Sequence, residues 1–412
     1  FLTPHLVDLH LHAPQFLYLG NGLHLPLMEW LNAYAFKAEE RLDADPILAR
    51  KVYTRLARRL AENGTGTVLL FGTLKEETNL ILAEAMQAAG IRAFVGKLSM
   101  DISTRPSYVE SSAQASLDSA QSFVEKCRSM VAHLPPHQQL VEPVLTPRFV
   151  PTCSDDLLVG LGKLSATSNL KIQSHLAEAH DQVEWVRSER GAEDIDVFDR
   201  SGLLTPRTIQ AHCTYLGAPS LQHIQSCGTA IAHCPLSNSY FSAEPFHLRE
   251  ALDHEVKVGL GTDVAGGYSL DLMNSMRHAV SVSRMRQGSE IVSGRNSNDR
   301  PGSTLAIDWK ESLYLATRGG ANALGLTTGT FAVGSPFDAQ QICLFDGNGV
   351  SVGALDFFDL DSADSSTMQL TTEMVEKWWC LGDSRNRVGM WVQGTKLDMH
   401  IPSPVPSSHR ST

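Results

Sequence analysis

The chain has 412 residues, 42% of them hydrophobic and 19% charged, which suits one large soluble domain or two smaller ones. A formal net charge of −11 argues against non-specific binding to nucleic acid or to acidic membrane surfaces. No apolar run reaches the roughly 18 residues a membrane-spanning helix needs.

The start, Phe1-Leu2-Thr3-Pro4, carries no cleavable signal pattern and no initiator Met, so further residues are expected upstream. Val7-Asp8-Leu9-His10-Leu11-His12 follows as part of a first strand. Side chains alternate along a strand, so His10 and His12 should share one face and Val7, Leu9 and Leu11 the other. Eight strand candidates occur in all: Leu6–His12, Thr67–Thr73, Arg92–Met100, Leu140–Phe149, Lys171–Glu178, Thr208–Cys213, Thr229–Pro235 and Val256–Asp263. Helical periodicity separates most of them, over 46–63, 77–89, 107–132, 155–166 and 181–190, with shorter stretches at 221–225 and 248–254. Alternating strands and helices predict an α/β fold of parallel βα units. Eight of them fit a (β/α)₈ barrel, whose usual size is about 250 residues.

Two more helical stretches lie around 270–286 and 305–324, separated by 288–303, a Ser-, Asn-, Gly- and Arg-rich piece that reads as a mobile surface insertion. The barrel is therefore placed at 1–326. Short strand-like pieces at 341–345 and 390–393 predict a small β appendage over 327–401, with Lys377-Trp378-Trp379 a candidate for packing it onto the barrel. The Ser- and Pro-rich 402–412 reads as a disordered tail. The seven cysteines are odd in number and widely spaced, with no Cys-x-x-Cys, so reduced thiols in the cytoplasm are expected.

In such a barrel the active site lies where the strands end. Strand one ends at His10 and His12, strand five at His175 with Glu178 three residues on, strand six at His212, strand seven at His233, and strand eight at Asp263. A histidine closing one strand is usually packed or capping. The same feature at strand after strand points to a metal centre. Three imidazoles and a carboxylate suit zinc above all, and an open position lowers the pKa of a bound water toward about 7, giving a hydroxide nucleophile. Asp263 can contact the metal and take the water's proton, and His212 can ligate the metal or hold the hydroxide. Glu178 is a candidate proton shuttle, against the plainer reading of a solvated loop carboxylate. Strand four ends at Thr146-Pro147-Arg148-Phe149 with no lysine, so a lysine-bridged pair of metals is not expected and one ion is. Arg148 suits a carbonyl or ring acceptor, although pairing with a neighbouring carboxylate is as common. Phe149 can stack on a flat ring, and Gln15 can donate and accept at once. Trp30 and Leu31, in Leu27-Met28-Glu29-Trp30-Leu31, are candidate pocket walls, though apolar core is the commoner use of such a run.

Taken together, His10-x-His12, His175-x-x-Glu178, Ala211-His212, Ala232-His233-Cys234-Pro235-x-Ser237-Asn238 and Gly261-Thr262-Asp263 resemble the metal-dependent amidohydrolase superfamily. Pro4-x-Leu6-Val7-Asp8, His12-Ala13-x-Gln15, Leu25-Pro26-Leu27-x-Glu29-Trp30-Leu31, Thr146–Phe149 and Gly259–Gly267 are similar, within it, to the guanine deaminase family. The resemblance runs from Pro4 to about Leu326 and again around Leu381–Asn386. It implies hydrolysis of guanine to xanthine and ammonia, one zinc per subunit and a homodimer. It gives His10, His12, His175 and Asp263 to the metal, and His212 to the metal or its water. It gives proton transfer to Glu178 and the purine to Gln15, Arg148 and Phe149. Two departures stand out. The usual Pro-Gly before the first strand is Pro4-His5 here, and the upstream strands that in the family pair with the C-terminal strands in a small β-sandwich are absent, so the β-sandwich appendage is expected to be incomplete. Two other readings stay open: a deaminase of another cyclic amidine or adenosine-like compound, and a scaffold that has lost its chemistry.

Overall fold

The structure, a computed structural model, describes residues 1–294, 304–346, 348–356, 358 and 369–399. All eight expected strands form, as β2 (Leu6–His12), β3 (Thr65–Phe71), β4 (Arg92–Ser99), β5 (Val141–Pro147), β6 (Ile172–Leu176), β7 (Thr208–His212), β8 (Ala230–His233) and β9 (Lys257–Leu260), after a short β1 (Leu2–Pro4). β2 to β9 pair in parallel and in chain order. Apolar residues of β2, β3, β4, β5, β7 and β8, among them Val7, Leu9, Leu69, Phe94, Val144 and Ile209, form one buried cluster with Ala323 and Leu324. That is the filled interior of a barrel rather than a pore.

The last strand meets the first without a regular ladder. Asp263 N–H donates to the His10 carbonyl at 2.8 Å and His12 N–H to the Val264 carbonyl at 3.0 Å. Beneath them the buried Asp8 carboxylate accepts from Thr262 N–H (3.0 Å), Thr262 Oγ1–H (2.5 Å) and His10 N–H (3.1 Å). Closure of the barrel thus falls at the two segments that carry the strand-end His and Asp motifs.

Strict alternation fails within β2. Between Asp8 and Leu11 the strand advances one residue more than β3, which pairs Val68 with Asp8 and Leu70 with Leu11. One extra residue reverses which face each side chain takes. Val7 and Leu9 therefore fill the barrel interior while His10 and His12, beyond the shift, reach the space above it.

The appendage is a four-stranded antiparallel sheet, in the order β1, β10 (Ala339–Ile342), β11 (Arg387–Val392), β12 (Thr395–Lys396). Among the described residues it is one sheet rather than a sandwich, and its outer strand is the very start of the chain: Leu2 pairs with Gln341 and Pro4 with Ala339. A hydrogen-bonded chain ties it to the barrel. Arg92 donates to Asp338 (2.7 Å) and to Thr67 Oγ1 (3.1 Å), Thr67 bonds His5 Nε2 (3.0 Å), and His5 Nδ1–H donates to the Trp391 carbonyl (3.3 Å). The departure at His5 thus makes a domain contact. Its ring is housed against Gly66, where a Cβ would stand 2.2 Å from Nδ1. Trp378 and Trp379 lie on helix Thr372–Leu381, buried in the same apolar cluster as barrel helices.

Four helical stretches differ from expectation, one of them the short helix Pro235–Phe241 after β8. Residues 27–44 are helical almost throughout, Asp194–Arg200 is a further helix, and Leu272–Ser293 runs on through Gly288 into the piece expected to be a mobile insertion. The rest of that insertion, 295–303, and the 402–412 tail lie outside the described residues. No described helix is long and apolar enough to cross a membrane.

Candidate active site

Five of the strand-end side chains, those of His10, His12, His175, His212 and Asp263, meet above the barrel interior. His12 Nε2 and His175 Nε2 stand 3.0 Å apart, and Asp263 Oδ1 lies 3.1 Å from His10 Nε2 and 3.7 Å from His12 Nε2. His212 Nε2 is 3.9 Å from Asp263 Oδ2 and 3.6 Å from Glu178 Oε1. All six residues are buried. Room for the first ring comes from Gly261, where a Cβ would come within 2.8 Å of the His10 Cβ. His212 and Asp263 hold left-handed backbone conformations, φ 69° and 48°. Such positions cost about 1–3 kcal/mol each and persist where surrounding bonds fix them.

The rings are oriented from behind. His175 Nδ1–H donates to the Arg148 carbonyl at 2.6 Å, and His212 Nδ1–H donates to Asn238 Oδ1 at 2.9 Å. Each leaves its Nε2 as a bare lone pair turned inward. Burial, and then the neighbouring rings, push His10, His12 and His175 well below the ordinary imidazole range, so they are neutral. Nε2 of His10 and of His212 has no hydrogen-bond partner among the described residues. Lone pairs facing one another and a carboxylate oxygen repel unless a proton or a cation lies between them. This donor set fits a divalent metal held by three imidazoles and one carboxylate.

Two nearby residues do not join that set. The Cys234 thiol approaches His10 and His212. Burial raises it well above its usual range, and it donates to the Ala232 carbonyl at 3.5 Å, so it is a neutral thiol. His233 packs on Phe246, with ring centres 5.0 Å apart, away from the cluster.

A small, tight cavity opens onto the cluster. His12, His175, Glu178 and Asp263 line it at the metal end. Gln15, Trp30, Leu31, Arg148 and Phe149 line the rest, with Leu27, Phe241 and Gly266. Every residue expected from the sequence to touch a substrate is therefore on one cavity. Burial, then the Asp263 charge, raises the Glu178 carboxyl well above its ordinary value, which favours a proton on it. That makes a solvated loop carboxylate untenable.

Sequence reasoning missed Glu39 and Asn238. Asn238 stands in the motif after β8 and orients His212. Glu39, on helix Phe36–Ala44, is fully buried and pairs with Arg148 at 2.6 Å. Its sequence signal, a glutamate among charged helical neighbours, is that of a solvated face.

The chain matches the amidohydrolase family over residues 1–375. The chain belongs to the amidohydrolase family. Among its amidohydrolase relatives is guanine deaminase of Mus musculus, 38% identical over 402 residues, which cover 96% of this chain and 83% of that protein. A solved structure of guanine deaminase from C. acetobutylicum with guanine bound in the active site superposes with a TM-score of 0.83. It is 31% identical and covers 96% of this chain and 87% of its own. An adenosine deaminase from Xanthomonas campestris with bound zinc, 22% identical, shares the fold (TM-score 0.73), over 96% of this chain and 80% of its own.

Proposed function

We propose that this amidohydrolase deaminates guanine to xanthine, with the cavity residues in the roles their geometry suits. The observation that carries the reading is one cavity joining the nitrogen–carboxylate cluster to a buried donor, Arg148 Nη2, which has no partner among the described residues. In the reaction water adds to the ring carbon bearing the amino group. A C–O bond forms, the C–N bond breaks, and ammonia leaves.

His10, His12, His175 and Asp263 would hold one zinc ion. Zinc bound there would lower the pKa of a water toward about 7, supplying the nucleophile at neutral pH. His212, its Nε2 aimed at the cluster, holds that water. Glu178, as the carboxylate, takes the water's proton and, as the acid so formed, returns it to the departing nitrogen; a pKa raised toward neutrality suits it to both steps. Guanine lies flat between the Phe149 and Trp30 walls with its 2-amino carbon toward the cluster. Its 6-oxo group accepts from Arg148 Nη2, and Gln15 reads the adjacent ring edge. Adenine has no oxo group there and would leave the arginine donor unpaired. A site built around one hydrogen-bonded group can reject the analogue lacking it by about 10⁴–10⁵. Seven free cysteines support a reducing compartment, the cytoplasm. The homodimer implied by the resemblance is open to a sedimentation measurement.

Ammonia release and xanthine formation, measured over guanine, adenine, cytosine and their nucleosides, test the assignment. Guanine should be the only good substrate. A higher kcat/KM for adenine or a nucleoside would overturn it.

A further inference from the structure

We infer that Glu39 is a positioning residue, one that fixes which donors the cavity offers to the oxo group of a base. The inference rests on the reading above, in which Arg148 and Gln15 face the substrate.

Glu39 sits at the back of both. Its Oε2 accepts from Arg148 Nη1 at 2.6 Å, and its Oε1 accepts from Gln15 Nε2–H at 3.5 Å. The other end of the Gln15 amide is also committed, since its Oε1 accepts from Ala265 N–H at 3.0 Å. The Phe36 ring lies under the guanidinium, 4.8 Å from its central carbon. Held at one nitrogen and across one face, the guanidinium cannot swing. Its Nη2 is buried and has no partner among the described residues.

Three consequences follow from this arrangement. The donor is aimed before substrate arrives, so binding loses little side-chain freedom. The Gln15 amide cannot flip, because its oxygen is held by a backbone N–H and its nitrogen by a carboxylate. The pair is also electrically balanced. Burial raises the Glu39 carboxyl and Arg148 pulls it back, while Arg148 is held above its ordinary range by Glu39 despite burial. A neutral oxo acceptor can then bind with no unpaired charge left in the cavity.

The test compares guanine with 2-aminopurine, which keeps the amino group and lacks the oxo group. The metal-loaded Glu39→Gln protein should retain metal and fold. Its KM for guanine should rise by about tenfold or more, with a smaller fall in kcat, because a charge-assisted clamp is replaced by a neutral one. For 2-aminopurine the change in turnover, or in inhibition constant where turnover is slow, should stay within about threefold, since Arg148 has nothing to hold. Arg148→Met should give the same selective loss, and Glu39→Gln/Arg148→Met should be no worse than Arg148→Met. Should Glu39→Gln fail to fold because it strands a buried guanidinium, the double variant against Arg148→Met carries the test: no further loss supports the inference, and additional loss overturns it. Equal losses on both bases, or losses that add in the double variant, overturn it too. Wild-type protein that does not turn over guanine overturns the underlying reading and this inference with it. Wild-type protein that does, with a uniform loss in Glu39→Gln, overturns this inference alone.

Discussion

His12 Nε2 and His175 Nε2 face each other at 3.0 Å, although 163 residues separate them in the chain, and the His175 nitrogen is left bare because its Nδ1–H donates to the Arg148 carbonyl. A bare lone pair turned to a second neutral imidazole, with Asp263 Oδ1 beside them, suits a divalent cation that all three side chains would hold. Elemental analysis should find close to one equivalent of zinc. A strong chelator should abolish activity and lower the melting temperature, and added zinc should restore both. His175→Ala should lose the metal. Full activity in a metal-free preparation would sink this reading of the cluster.

Glu178 is buried among Asp263, His212 and His175 yet has room to reach the cavity. Glu178→Gln preserves its shape and removes its ability to pass protons. Turnover should fall roughly 10²–10⁴-fold. Metal content and melting temperature should hold, because Glu178 is not one of the proposed ligands and the amide keeps the side chain's size and shape. Near-normal turnover in this variant would rule the shuttle out.

Much of this site was legible because each of its ligands closes an apolar run, the point at which a barrel strand delivers a side chain to the mouth. Gln15, Arg148 and Phe149 were legible through motif resemblance. Glu39 was not, because its burial is created by helix Phe36–Ala44 folding over the mouth, and nothing in Phe36-Lys37-Ala38-Glu39-Glu40-Arg41 distinguishes an inward from an outward carboxylate. The register shift between Asp8 and Leu11 was also hidden, since a bulge interrupts alternation without changing residue types. β1 was hidden for a third reason: its partner β10 lies at the other end of the chain, and non-local pairing leaves no local pattern. The helix through Gly288 was misread because an exposed helix end rich in Ser and Gly looks like loop.

Arg148→Met tests the substrate's orientation. The side chain is kept long and apolar while the free Nη2 donor is lost, so guanine should bind more weakly and sit less well over the cluster. KM should rise and kcat should fall, together costing about 10²-fold or more in kcat/KM. Metal content should be unchanged. The variant also strands the Glu39 carboxylate, so pairing it with Glu39→Gln should recover stability but not guanine turnover. Unaltered kcat/KM for guanine in Arg148→Met would place the oxo group elsewhere.

His5 links stability to pH. Burial lowers its pKa to about 4, below the 6.5 of the unfolded chain. Between those values the unfolded chain binds the extra proton, so stability is full above pH 6.5 and is lost as pH falls toward 4. The loss should amount to at most about 3 kcal/mol. His5→Gln cannot titrate, so the stability difference between the two holoproteins should shrink across this window. Taking the difference cancels the histidines of the metal cluster, which the two proteins share. A difference independent of pH would mean that His5 titrates normally.

The His5 ring and Gly66 occupy a common space, and the two positions should therefore be energetically coupled. A Cβ at Gly66 would stand 2.2 Å from His5 Nδ1 and 2.5 Å from its Cγ. The ring is buried and bonded at both nitrogens, so it cannot step aside without breaking its links to Thr67 and Trp391. Gly66→Thr should destabilise by about 1–3 kcal/mol through overpacking. His5→Gly should cost a similar amount, roughly 2 kcal/mol, by opening a cavity and stranding the Thr67 hydroxyl. In the double variant the new side chain fills the space the ring has left. Its loss should then be smaller than the sum of the two, with a coupling of about 1–2 kcal/mol. Urea unfolding of the four proteins at neutral pH measures this directly. Strict additivity would show that the ring and the glycine do not share the space.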